Sequence, residues 1–219
     1  MDLAERYASL LTSDGVLRGV IGPREAGRIW ERHLLNCAAI APALPHEAYV
    51  IDVGSGAGLP GIVLALVRPD IHVVLVEPLL RRTAFLADIL DHLGIGSRID
   101  VVRGRAEEIA ARPTMFHVKP ADVVAVRAVA ALDRLAAWCL PLLAVGGRLV
   151  AMKGTSASDE VAAHGEAVAL AGGGTPTIHR YGDGTLPEPT VTIEVIRERR
   201  VARTAPDGRR AERRGRRGR

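Results

Sequence analysis

The chain is poor in cysteine, lysine and aromatic residues: among 219 residues there are 2 Cys, 2 Phe, 3 Tyr and 2 Trp, and the only lysines are Lys119 and Lys153. Two cysteines cannot build a disulfide framework, and neither Cys37 nor Cys139 sits in a CxxC or other metal-ligand spacing. Both are expected to be reduced core thiols, with no metal bound. No apolar run approaches the ~18 residues needed to span a bilayer. The longest candidates are interrupted by Arg68, Arg127 and Pro141. The N-terminal MDLAERYASLL mixes acids and bases and lacks the basic-then-apolar layout of a signal peptide. A cytoplasmic protein without a membrane partner is the expectation. With few aromatics, a base-stacking platform is thin, and Trp30 and Trp138 fall at helical core spacing.

What is present is a sizeable apolar fraction, 48%, enough for a proper core in one domain. The formal net charge of +4 hides an asymmetry. Residues Arg197 to Arg219 hold 11 arginines against Glu198, Asp207 and Glu212, so the rest carries 18 basic and 22 acidic residues. The folded body is net acidic, and the basic isoelectric point belongs to the tail. Past Arg200 there is no hydrophobic periodicity, and the segment lacks apolar material to order itself. Three parts follow: an N-terminal helical cap over 1–45, a main domain over 46–200, and a basic, disordered tail over 201–219.

The hydrophobic period changes along the chain. Residues 3–12 and roughly 25–41 read as amphipathic helices, with Ile29, Trp30, Leu34, Cys37 and Ile40 at helical spacing. From Tyr49 on, short β-branched runs alternate with helix-length stretches: strands at 49–53, 72–77, 99–104, 121–126 and 148–153, helices at 60–67, 79–93, 105–111 and 131–143. Runs apolar throughout suit a parallel sheet covered on both faces. After a helix at 158–171, stopped by Gly172 to Gly174, two strands at 176–181 and 190–196 follow with no helix between them. The expected architecture is α/β and Rossmann-like: a seven-stranded, mostly parallel sheet with an antiparallel edge hairpin and short N-terminal helices.

The most informative stretch is IDVGSGAGLPG, residues 51–61, running from a strand into a helix. Its glycines let the backbone turn tightly and approach a ligand. Gly56, Gly58 and Gly61 satisfy G-x-G-x-x-G, with Glu77 about 20 residues on, as a dinucleotide site requires. Asp52, Gly54, Gly56 and Gly58 equally satisfy the (D/E)-x-G-x-G-x-G loop of S-adenosylmethionine-dependent methyltransferases. A carboxylate at Asp52 would repel a pyrophosphate but suits a cationic amino group or sulfonium, which favours the second parse. Glu77 can accept ribose hydroxyls under either, and Glu107, just past the third strand, lies where an adenine edge would arrive. Asp52, Glu77, Arg127 and Lys153 all fall at the carboxyl ends of strands, where open α/β sheets bind ligands.

These pieces carry a resemblance. RHLLN (32–36), IDVGSGAGLPGI (51–62), VEPLLRRTAFL (76–86), GRAEE (104–108), VRAVAAL (126–132) and AMKG (151–154) occur together and in the order found in the 16S rRNA (guanine-N7)-methyltransferase family, RsmG or GidB, over about residues 20–155. The resemblance implies a class I methyltransferase that moves a methyl group from S-adenosyl-L-methionine to N7 of a guanine in the helix-18 loop of 16S rRNA, with that RNA or the small ribosomal subunit as partner. It implies cofactor contacts from Gly54, Ser55, Gly56, Gly58, Leu59, Glu77, Ala106, Glu107 and Arg127. Arg24, Arg32 and His33 fall in the region near the cofactor crevice and are candidates for RNA contact. The chain departs from the family in carrying Asn36 and Cys37 where Asp-Ser is common, and in its arginine tail.

Guanine N7 has an in-plane lone pair and no proton to lose, so transfer to it requires no general base and no covalent intermediate. Positioning suffices. Arg127 and Lys153 are the candidates for it, by contact with O6 or a neighbouring phosphate. A methyltransferase with another RNA, small-molecule or protein substrate, a nicotinamide oxidoreductase, and a nucleotide-binding regulator without catalysis stay open at this level.

Overall fold

The structure is a computed structural model that describes residues 2–127 and 130–201. The expected arginine-rich tail, from residue 202 on, lies outside the described residues. Among the described residues seven strands form one sheet: β1 (Tyr49–Val53), β2 (His72–Glu77), β3 (Ile99–Arg103), β4 (Ala121–Arg127), β5 (Leu143–Lys153), β6 (Thr177–Tyr181) and β7 (Thr190–Ile196). Their order is β3-β2-β1-β4-β5-β7-β6. β1 to β5 pair in parallel, and β7 runs antiparallel to both β5 and β6. The final hairpin is therefore present, but its second strand inserts between β5 and β6, so only β7 is reversed. β1 is buried throughout, and β2 and β4 nearly so, as their unbroken apolar runs require. The edge strand β6 is exposed.

Helices cover both faces. On one lie α1 (Leu3–Thr12), α4 (Gly61–Val67) and α5 (Leu80–Leu93), whose Tyr7, Leu11, Ile62 and Phe85 share a core with Val50 and Val73. On the other lie α6 (Ala106–Ala111), α7 (Leu132–Cys139) and α8 (Ala157–Leu170), packed through Leu132, Leu135 and Val168 on Ile51, Val124 and Leu149. Val50 and Ile51 serve opposite faces because successive strand side chains alternate. Among the described residues no helix is long and apolar enough to cross a membrane.

Two expected helices come out differently. The helix expected over 131–143 ends at Cys139, because Pro141 offers no N–H and a 3-10 turn, Leu140–Leu142, leads directly into a β5 longer than expected. The helix expected over 25–41 is instead a 3-10 segment (Pro23–Arg28), a π-helical segment (Ile29–Leu35) and the short α3 (Asn36–Ala39), preceded by α2 (Asp14–Leu17). Gly27 disfavours a regular helix here by ~1 kcal/mol. The wide π turn buries Ile29, His33 and Leu34 while leaving Trp30 42% exposed, so Trp30 is not the core residue its spacing suggested.

The N-terminal segment is fastened to the centre of the molecule. Tyr7 is fully buried, and its hydroxyl donates to the Ala57 carbonyl at 2.8 Å, in the loop after β1. Tyr7→Phe leaves that buried carbonyl unpaired and is expected to cost ~1–2 kcal/mol. Thermal unfolding followed by circular dichroism should show a fall of about 2–6 °C; an unchanged midpoint would mean that the bond does not hold the loop.

Candidate active site

The strand order reverses between β1 and β4, the chain leaving β1 toward β2 and β4 toward β5, and ligands bind α/β sheets at the carboxyl ends of the strands at such a point. A cavity of about 650 Å³ opens there. Its floor is the loop after β1. Gly54 (φ +72°) and Gly56 (φ +57°) take left-handed backbone conformations that other residues rarely adopt. The Gly54 N–H donates to the Val76 carbonyl at 2.8 Å, tying the loop to β2. Ser55 Oγ donates to the Asp52 carbonyl at 2.9 Å.

Glu77 closes β2 and faces the cavity while only 1% exposed. Its carboxylate accepts from Gly56 N–H and from Leu79 N–H, both at 3.0 Å, and lies 3.6 Å from Arg82 Nη1. One lone pair on each oxygen is thus used by the backbone, and the others remain for a ligand's hydroxyls. The wall beyond is formed by Ala106 and Glu107, with Trp138 of α7 closing that side. Val20 and Ile21 line the opposite wall.

Arg127, the last residue of β4, reaches the cavity from the other side of the switch point. Its Nη2 donates to His33 Nδ1 at 2.8 Å and to the Arg32 carbonyl at 3.3 Å, and its Nη1 to Cys37 Sγ at 3.6 Å. His33 Nε2 lies 2.7 Å from Glu25 Oε2. Burial holds the His33 imidazole below its ordinary value, against the opposing pull of Glu25.

The structure brings together most residues singled out from sequence: Gly54, Ser55, Gly56, Leu59, Glu77, Ala106, Glu107, Arg127 and His33 all line the one cavity. Four it does not bring there. Gly58 (φ +96°) packs behind the loop, where a Cβ would stand 2.4 Å from Ile62 Cδ1 and 2.9 Å from the Tyr7 hydroxyl. Lys153, its side chain 10% exposed, donates to the Ala130 carbonyl and to Glu160 Oε2, each at 2.7 Å. The same Glu160 oxygen accepts from Leu132 N–H at 3.0 Å, so Lys153 and Glu160 tie the start of α7 to α8. Arg24 and Arg32 are exposed outside the cavity lining, although the Arg32 carbonyl holds Arg127.

Asp52 also differs from its reading as a partner for ligand charge. It is fully buried, and Oδ2 accepts from Gly61 N–H at 2.9 Å at the start of α4. Among the described residues its Oδ1 has no partner, and burial pushes the carboxyl up to about 7. A Cβ at Gly61 would lie 2.7 Å from that carboxylate, so the last glycine of the motif makes room for Asp52. Sequence reasoning missed the Val20 and Ile21 wall; Trp138 packs against the core as its spacing suggests, and it also lines the cavity. The signal for its second role was its place in the last turn of a helix that packs on α6.

The residues present fit S-adenosylmethionine: a carboxylate with free lone pairs at the end of β2, a side-chain-free loop after β1, and room for the whole ligand. This strand order, with β7 alone reversed and a glycine loop and acidic residue at the switch point, defines a class I S-adenosylmethionine-dependent methyltransferase. The solved structure of the S-adenosylmethionine-dependent methyltransferase SibL superposes with a TM-score of 0.60 at 14% identity, over 80% of this chain and 58% of that one. The B. subtilis tRNA methyltransferase TrmK gives 0.54 at 16%, over 76% and 65%. At these identities the likeness is one of fold.

The chain belongs to the family described as rRNA small subunit methyltransferase G, which it matches over residues 1–185. It is 56% identical over 218 residues to the ribosomal RNA small subunit methyltransferase G of Salinispora arenicola, covering 100% of this chain and 90% of that protein. The protein of the same name from Salinispora tropica is 57% identical over 99% of this chain and 90% of its own length. The protein is therefore a methyltransferase whose cofactor is S-adenosyl-L-methionine, and the nicotinamide and non-catalytic readings fall away.

Proposed function

We propose that the protein methylates N7 of a guanine in the helix-18 loop of 16S rRNA, in the cytoplasm, as naked RNA or within the small ribosomal subunit. The relatives' names supply the RNA, and the motif resemblance supplies the base and atom. One observation of the site carries the chemistry: the cavity's carboxylates, Glu77 and Glu107, stand at the end of β2 and just past β3, where the cofactor's nucleoside is held, and the nearby cysteine and histidine are buried or already engaged.

Bound S-adenosylmethionine supplies a methyl group already activated on a sulfonium. Everything else falls to the chain's own side chains. Cys37 and Cys139 are fully buried, and burial pushes both thiols up, Cys37 to about 12, so neither is a thiolate nucleophile at neutral pH. Both ring nitrogens of His33 are engaged, by Glu25 and Arg127. Asp52 is turned onto Gly61 and away from the cavity. An acceptor that arrives with its lone pair free suits such a site, and guanine N7 is one. Arg127 offers donors and no acceptor, suited to O6 of the same base or a neighbouring phosphate. Glu77 and Glu107 serve the nucleoside end of the cofactor. Incubation with labelled S-adenosylmethionine and small-subunit RNA, naked and in intact subunits, should place label in the RNA. No transfer to either would overturn the proposal.

The net-acidic body leaves general phosphate affinity to the arginines of the tail and to Arg24, Arg28 and Arg32, all exposed on the N-terminal segment. Deleting residues 203–219 is expected to weaken RNA binding and flatten its salt dependence by ~0.7–0.9 logarithmic units for each phosphate the tail neutralises. Affinity for S-adenosylhomocysteine should stay put. Filter binding across a salt series reads this, and an unchanged slope would show that the tail does not touch RNA.

A further inference from the structure

The guanidinium of Arg127 is held by groups from one short stretch of chain: among the described residues its hydrogen-bond partners are the Arg32 carbonyl, His33 Nδ1 and Cys37 Sγ. The shortest of these bonds, at 2.8 Å, is to His33. A guanidinium can only donate, so Nδ1 must present a lone pair and the ring proton must sit on Nε2. Glu25 Oε2 lies 2.7 Å from that Nε2. A carboxylate can only accept, so it selects the same tautomer. Carboxylate, imidazole and guanidinium form a directed series in which each group fixes the next, running from the 3-10 segment at Pro23–Arg28 to the end of β4.

We propose that Glu25 is a positioning residue for methyl transfer, which by fixing the tautomer of His33 aims Arg127 at the substrate. The inference rests on the methyl-transfer reading above. It gives the irregular N-terminal segment a task in the reaction: the π turn at Ile29–Leu35 turns His33 inward, and the 3-10 segment before it brings Glu25 behind the ring. π turns are frequent where a side chain must be aimed at a site. His33 is 8% exposed, so its ring is largely shielded from water, while the Glu25 side chain stays a third exposed behind it.

The arrangement has a pH signature. Protonation of His33 puts an N–H at Nδ1, facing the donors of Arg127, and the link breaks. The charged and titratable groups around it are Glu25 and Arg32 on its own segment and Arg127 from β4, with Cys37, Asp52 and Tyr7 beyond that guanidinium. Burial lowers His33, Glu25 raises it and Arg127 lowers it further. The link is therefore intact at neutral pH and lost as pH falls through the His33 titration. Removing the Glu25 charge removes a raising influence, so the acid limb of kcat must move to lower pH.

The test uses full-length protein, labelled S-adenosylmethionine and small-subunit RNA. Glu25→Ala should lower kcat on the order of 10- to 100-fold through misaim of Arg127, with KM for the cofactor little changed. Glu25→Gln keeps an oxygen that accepts from Nε2–H, so it should recover most of kcat while its acid limb lies below the wild-type one. His33→Asn, whose amide oxygen can stand near the Nδ1 position, should recover part of the kcat lost in His33→Ala. Nitrogen-15 histidine spectra should show the Nε2–H tautomer in the wild type and a mixture in Glu25→Ala. Wild-type kcat and an unmoved acid limb in Glu25→Ala and Glu25→Gln would overturn the proposal. So would a wild-type His33 with its proton on Nδ1, a result readable without turnover and therefore separable from failure of the methyl-transfer reading itself.

Discussion

Replacing Arg127 by alanine is expected to lower kcat by about 10²–10³-fold, the effect of removing one preorganised donor from a site that works by positioning. Arg127 stands at the carboxyl end of β4 with its guanidinium on the cavity, and the groups that hold it come from the N-terminal segment. Its β4 neighbours Val124, Ala125 and Val126 pack the sheet without it, and they remain in place when it is truncated. The variant should therefore fold, with a modest fall in thermal midpoint from the missing bonds to His33 and the Arg32 carbonyl. Calorimetry should still show S-adenosylhomocysteine binding while methyl transfer to RNA collapses. Wild-type turnover in a folded Arg127→Ala variant would remove Arg127 from the mechanism.

Glu77→Ala should act on the other half of the reaction. Hydrogen bonds to a charged acceptor are worth about 1.5–3 kcal/mol each. A carboxylate holding two ligand hydroxyls therefore accounts for roughly 10²-fold or more in cofactor affinity. The loss is compounded because Glu77 also fixes Gly56 and Leu79 through their N–H groups and sits beside Arg82, so its removal loosens the loop that floors the cavity. Titration with S-adenosylhomocysteine by calorimetry should show a Kd weakened by about 100-fold or more, with Glu77→Asp intermediate. Binding within a few-fold of wild type would mean that the end of β2 does not hold the cofactor.

Much of this was legible in the amino-acid sequence because it depends on patterns with one structural meaning. Apolar β-branched runs such as HVVLVE and ADVVAV can only be central parallel strands, and they alternate with helices in the order the sheet requires. Gly54 and Gly56 in a strand-to-helix turn mark the loop, and Glu77 marks the end of β2. The misreadings share a different character. Ile29, Leu34, Cys37 and Ile40 repeat with a spacing that both an α-helix and a broken 3-10, π and α succession can satisfy, so the turn that exposes Trp30 and buries His33 left no trace in periodicity. Lys153 ends a strand as a ligand-binding residue would, yet Glu160, seven residues on, claims it. Asp52 occupies a motif position whose charge suggested a ligand, whereas the nearest donor is Gly61 N–H. In each case a local pattern names the residue but tertiary neighbours decide what its side chain meets.

The assignment of substrate and atom meets its most direct test in the product. Small-subunit rRNA treated with the enzyme and S-adenosylmethionine should be digested to nucleosides for mass spectrometry, and in parallel cleaved at 7-methylguanosine and mapped by primer extension. The expected result is one new 7-methylguanosine, located in the helix-18 loop and absent with Arg127→Ala. A methyl group on ribose, on an exocyclic amine, on a pyrimidine, or on a guanine elsewhere in the RNA would contradict it.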